Sequence, residues 1–203
     1  KALYRAILAQ QPDNADALHL LGLTCHQLGD HQTAVQYIRR AVEQVPDQPV
    51  LRNNLGDALH KLGDLPAAIQ QLRRALELRP DYAGAHLNLG SALAESGEHE
   101  AALTHSREAT RLDPERPEAW YNLGMLLMDQ VMLDEAARSF RAALALRPHY
   151  PAAVNGLLYV LNLLPNADAL EVAEEHRRVA SVMFGSVAQS SDWPVPGGKI
   201  RIG

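Results

Sequence analysis

Apolar positions along this chain form short stripes with helical spacing, separated by glycine and proline. Leu55, Gly56, Leu59 and Leu62 fall on one face of a helix. After a Gly63–Asp64 break, Ala68, Leu72, Ala75 and Leu76 recur at i, i+4, i+7 and i+8, one face of a second helix. The stretch Arg79 to Tyr82 (RPDY) then closes the pair, because proline denies the next hydrogen bond. The same pattern returns along the chain. Proline stands at positions 12, 46, 80, 114 and 148, each 34 residues after the last. Leu-Gly pairs keep that step at Leu21-Gly22, Leu55-Gly56, Leu89-Gly90 and Leu123-Gly124. So do Ala34, Ala68, Ala102 and Ala136, then Ala41, Ala75, Ala109 and Ala143, and the turn glycines Gly29, Gly63 and Gly97. Several registers sharing one period define a helix-turn-helix repeat. Little side-chain bulk at Gly56 and Ala68 lets the paired helices approach closely.

These Leu-Gly, Gly, Ala, Ala and Pro positions resemble the tetratricopeptide repeat. The resemblance covers four full copies, residues 15–150, with residues 1–14 matching the second helix of an earlier copy. It implies an all-α fold, a right-handed superhelix of tandem helix pairs in which each unit packs mainly on its neighbours and the first helices line the concave surface. Two positions depart from the pattern. Leu158 stands where the fifth copy, beginning near Pro151, would carry glycine, so residues 151–184 read as a decayed repeat with capping helices. Val131 replaces the turn glycine of copy four, and that turn is expected to differ.

Composition narrows the function. In 203 residues with 47% apolar content there are only two Phe and two Trp, so Ala and Leu must supply the packing. A net charge of -5 argues against a general nucleic-acid binder, which needs a basic stripe. A single cysteine cannot form an internal disulfide, so a reducing, cytoplasmic setting is expected. No run of 18 apolar residues marks a membrane span. The chain begins at Lys1, so a leader or further repeats upstream are not visible in it. The nine histidines include no i, i+4 pair. His26 and His60 share a register and read as polar groove residues, and Cys25 falls on the core register of Leu59, Leu93 and Leu127. No phosphate loop, nucleophile elbow or carboxylate pair stands out. Neither metal nor cofactor is expected, and this chain alone is expected to catalyse nothing.

One polar register remains. Two residues before the glycine of each unit come Leu20, Asn54, Asn88 and Asn122, opposite the buried stripe of the first helix. Asn is a mediocre helix former, so its recurrence invites explanation. On that face Asn54 is joined by Val50, Asp57 and Lys61, Asn88 by Gly84, Ser91 and Glu95, and Asn122 by Glu118, Met125 and Asp129. An amide offers both donor and acceptor, which suits the backbone of an extended peptide. Spacing alone leaves two readings open, a peptide-gripping ladder or a merely solvated face. On the second helices Arg39, Arg73, Arg107 and Arg141 recur, with Glu43 and Glu77 placed for local i, i+4 ion pairs.

The repeated Asn-Leu-Gly, with RRALELRPDYAGAHLNLG between copies, further resembles the repeats of O-linked N-acetylglucosamine transferases and their SPINDLY-like relatives. That resemblance implies that Asn54, Asn88 and Asn122 hold a protein substrate; Asp57, Lys61, Ser91, Glu95 and Asp129, on the same face, are the candidate contacts beside them. Leu20 interrupts the ladder. The stretch from Asn155 to Ala180, with Glu175 to Arg178 (EHRR), looks like the junction to a catalytic domain in the same family. Residues 185–203 would then be a linker leading into the first strand, Lys199 to Gly203 (KIRIG), of a sugar-transferring domain beyond this chain. The other reading of those residues is an isoleucine-bearing tail. The expected partner is an extended polypeptide in the groove, with no nucleic acid or membrane partner and self-association open. The expected role is substrate recognition for a protein O-glycosyltransferase, or alternatively a free-standing adaptor.

Overall fold

A computed structural model describes residues 2–164 and 169–184. The described residues form helices only: α1 (Ala2–Gln10), α2 (Ala15–Gln27), α3 (His31–Gln44), α4 (Pro49–Leu62), α5 (Leu65–Leu78), α6 (Ala83–Glu95), α7 (His99–Leu112), α8 (Pro117–Asp129), α9 (Leu133–Leu146), α10 (Pro151–Leu163) and α11 (Ala169–Phe184). The expected linker and strand, residues 185–203, lie outside the described residues, as do residues 165–168 of the expected decayed repeat.

Each first helix crosses its second helix at the recurring glycine of the pattern. A Cβ on Gly56 would come within 2.5 Å of Leu72 Cγ, and one on Gly22 within 2.5 Å of Ile38 Cγ1. Glycine there is a condition of the close approach. In the fourth pair the contact residue is Phe140, wholly buried, and its ring lies 2.7 Å from where a Gly124 Cβ would stand. The ring also lies 2.7 Å from the position of a Cβ on Gly156 of α10. A larger side chain at this step therefore needs small neighbours on two helices. Gly156 stands at the asparagine register of the fifth copy, and Leu158 keeps the place where the pattern expects glycine.

The turns are uniform. Gly63 takes φ +89°, its N–H donates to the His60 carbonyl at 2.9 Å, and the Asp64 N–H reaches the Leu59 carbonyl at 3.0 Å. Val131 was expected to change its turn and does not. It adopts φ +59°, its N–H donates to the Met128 carbonyl at 2.9 Å, and the Met132 N–H reaches the Leu127 carbonyl at 2.8 Å. Packing of α8 on α9 holds a β-branched residue in the left-handed region that glycine prefers. Val131 is 75% exposed, so no burial of its side chain offsets that strain.

Successive first helices touch one another, α2 on α4, α4 on α6, α6 on α8 and α8 on α10. Among the described residues no two second helices make such contact. The first helices are thus the inner wall of the curve, and whatever they leave exposed faces its concave side.

Candidate functional site

Burial leaves each first helix one solvent-facing stripe. On α4 it holds Val50, Asn54, Asp57 and Lys61, on α6 Gly84, Asn88, Ser91 and Glu95, and on α8 Glu118, Asn122, Met125 and Asp129. The residues between them, such as Leu55, Ala58 and Leu59 on α4, are buried against α5 and the neighbouring repeats. Every residue singled out in the sequence as a candidate contact lies on this stripe.

The asparagines are already occupied on one side. Asn54 Nδ2 donates to His19 Nε2 at 2.8 Å, and Asn88 Nδ2 donates to Asn53 Oδ1 at 3.0 Å. Asn53 is buried and in turn donates to Asn54 Oδ1 at 3.1 Å, so a continuous chain runs from α2 across α4 to α6. The third asparagine faces Leu87 where the others meet a polar side chain, and it takes a different partner. Asn122 Nδ2 donates to Ser91 Oγ at 2.9 Å, while Ser91 spends its own proton on the Leu87 carbonyl at 3.1 Å. The ladder thus stitches adjacent first helices together. Its remaining capacity includes the acceptor side: Asn88 Oδ1 and Asn122 Oδ1 have no partner among the described residues, each Nδ2 keeps a second N–H, and both residues are partly exposed.

The acidic members of the stripe follow the same logic. His26 Nε2 meets Asp57 Oδ2 at 3.1 Å across α2 and α4, and buried His60 meets Glu95 Oε1 at 2.9 Å across α4 and α6. These two histidines are seam residues between repeats, where the sequence had them as ordinary groove residues. His19, the acceptor at the start of the chain, has its pKa lowered by burial, with Asp16 opposing. A neutral ring is what the bond from Asn54 requires.

Sequence comparison places these helices in a known class. The tetratricopeptide-repeat description matches residues 1–49 and 117–150, and the closely named TPR repeat matches 56–97 and 90–131. Together the matches span more than half of the chain. The chain belongs to the tetratricopeptide-repeat family. No curated protein matches it. Among solved structures, MamA is 27% identical, covering 71% of this chain and 85% of its own with TM-score 0.64. TTC0263, a thermophilic TPR protein of Thermus thermophilus, is 24% identical over 83% of this chain and 98% of its own, with TM-score 0.65. YrrB, a TPR protein with an unusual peptide-binding site, is 17% identical over 91% of this chain and 94% of its own, with TM-score 0.67.

Away from the stripe, this tetratricopeptide-repeat array uses its charges to join repeats. The recurring arginines do not make the local pairs their spacing promised. Arg73 reaches Glu98 at 3.4 Å, Arg107 reaches Glu135 at 3.0 Å and Arg141 reaches Glu175 at 3.4 Å, each in the next repeat. Glu77 pairs instead with Arg74 at 2.7 Å. An arginine is long enough to span second helices whose backbones do not touch. A cleft of about 440 Å³ between α9, α10 and α11 is lined by Leu144, Val154 and Val179 and rimmed by Arg141 and Arg178. Glu175 already holds both guanidinium groups. His176 has a buried Nε2 without a partner among the described residues. Cys25 is a buried core residue as expected. Among the described residues no group of three or more His, Cys, Asp or Glu is placed to hold a metal ion, and no helix is long and apolar enough to cross a membrane.

Proposed function

We propose that this chain is an adaptor that holds an extended polypeptide along the inner stripe of its first helices. The observation that carries this reading is the repeated half-used amide. Asn88 and Asn122 each spend one donor inside the wall and keep an unpartnered oxygen on the partly exposed inner stripe, at successive repeats. Such a row accepts N–H groups from an extended backbone without selecting its sequence. Lys61, Asp57, Ser91, Glu95 and Asp129 flank the row and would meet the peptide's side chains. YrrB, of the same fold, has a peptide-binding site, which is consistent with this use of the surface. A reducing compartment such as the cytoplasm fits the lone buried Cys25.

The glycosyltransferase reading is the finer alternative. It rests on the Asn-Leu-Gly resemblance and on residues 185–203, whereas the family matches support a repeat scaffold alone, so the adaptor is favoured. The test is selection of random dodecapeptides on the chain, followed by titration against Asn54→Ala/Asn88→Ala/Asn122→Ala. Each net hydrogen bond is worth about 0.5–1.5 kcal/mol, and two oxygens are free, so affinity should fall at least about fivefold. The free variant's melting curve is recorded in parallel, since the same asparagines join the helices. Unchanged affinity in a folded variant would leave the ladder a purely structural seam.

A further inference from the structure

The inner stripe changes character along its length. On α4, α6 and α8 it carries Asp57, Glu95, Glu118 and Asp129 with Lys61. Glu118 pairs with Arg147, and Asp57 and Glu95 meet His26 and His60, so the strip keeps an excess of negative charge. Asp129 is exposed and has no ion-pair partner among the described residues. One repeat further along, the register of Asp57, Ser91 and Met125 is taken by Tyr159, and that of Lys61, Glu95 and Asp129 by Leu163. Tyr159 is 59% exposed and Leu163 46% exposed. Gly156 stands where an asparagine would, so the amide row stops where the apolar pair begins.

We propose that the α8–α10 end of the groove is an anchor site for a basic peptide. Cationic side chains of that peptide sit over Asp129 and Glu95, and one aliphatic or aromatic side chain packs on Tyr159 and Leu163. Charge complementarity fixes the sign of the partner, because an acidic peptide would bring like charge against an already negative strip. The apolar pair supplies what the amide row lacks, a contact that distinguishes one side chain from another. This assignment rests on the groove reading above and gives it a direction and a partner chemistry.

The dodecapeptide selection decides it with two further proteins, Tyr159→Ser/Leu163→Ser and Asp129→Lys, both altered only at exposed positions and checked for unchanged melting. The expected peptides are net positive and carry an apolar residue. They lose roughly tenfold in affinity on the double-serine variant. On Asp129→Lys they weaken several-fold at about 0.15 M salt and much less at about 1 M, where charge is screened. Enriched peptides that are neutral or acidic, or that bind the double-serine variant as well as the native chain, overturn the anchor while leaving the groove reading intact. Failure to enrich any peptide overturns both. A concentration-dependent dimer that Tyr159→Ser/Leu163→Ser dissolves would assign the face to a second copy of the chain and also overturn the anchor.

Discussion

The turn between α4 and α5 and the turn between α8 and α9 follow nearly the same backbone path with opposite chemistry. The first has Gly63 in the left-handed region and Asp64 capping α5 through Oδ1 to the Ala67 N–H at 3.3 Å. The second has Val131 at φ +59° and Met132, which has no side-chain acceptor with which to cap α9. Every local preference is met in one and refused in the other. The helices they join are equally well seated, since Leu72 and Phe140 are both wholly buried on the glycines of their partners. Interhelical packing sets the turn, and turn chemistry only adjusts its stability.

If packing dominates, the largest loss comes from the core. Phe140→Ala should lower unfolding free energy by about 3–5 kcal/mol, because the ring fills the space left by Gly124 and Gly156 together. Chemical denaturation of the isolated chain would measure it. A loss no greater than that of a surface residue would mean the C-terminal pairs are not seated on Phe140.

Exchanging the turn residues tests the other half of the contrast. Gly63→Val should cost about 1–2 kcal/mol, since a β-branched residue is forced into the left-handed region. Val131→Gly should recover about 1 kcal/mol, slightly less because glycine also loosens the unfolded chain. If Gly63→Val cost nothing, the path of the α4–α5 turn would differ from the one described. Smaller again are the caps: Asp64→Ala is expected to lower stability by about 1 kcal/mol and Met132→Asp to raise it by a similar amount. Equal melting temperatures for Met132→Asp and the native chain would show that the α9 N–H groups are already satisfied by water.

These comparisons also show what the sequence made legible. The 34-residue period gave the helix pairs, their turns and the inner stripe, because periodicity reports which face of a helix is buried. It failed at Val131, where tertiary contact overrode a local preference. In the candidate site it found the asparagines but not their partners. Those bonds run 35 residues back to His19 and Asn53, and 31 back to Ser91. A signal was present in hindsight, since His19 and Asn53 share one register a residue before the ladder. It could not be weighed until α2, α4 and α6 were known to lie side by side. The arginines failed for the same reason: spacing within a helix shows i, i+4 neighbours and hides the next repeat.

The smallest effect expected is a pH dependence from the polar seam. His19 and His105 both have lowered pKa values, chiefly through burial. At His19 the nearby Asp16 opposes that shift, and at His105 the neighbouring His86 and Arg73 reinforce it while Glu108 opposes it. In the unfolded chain each returns to the ordinary value of 6.5 and binds a proton more readily than in the fold. Stability from these rings is therefore complete above pH 6.5 and declines as the pH falls below it. Protonating His19 also turns Nε2 from acceptor to donor and opposes the bond from Asn54. The melting temperature should fall modestly between about pH 7.5 and about pH 5.5. His19→Gln keeps an acceptor for Asn54 without a titrating ring and should shallow that decline. A decline as steep in His19→Gln as in the native chain would remove His19 from the account and leave His105, paired with His86 Nδ1 at 2.9 Å, as its source.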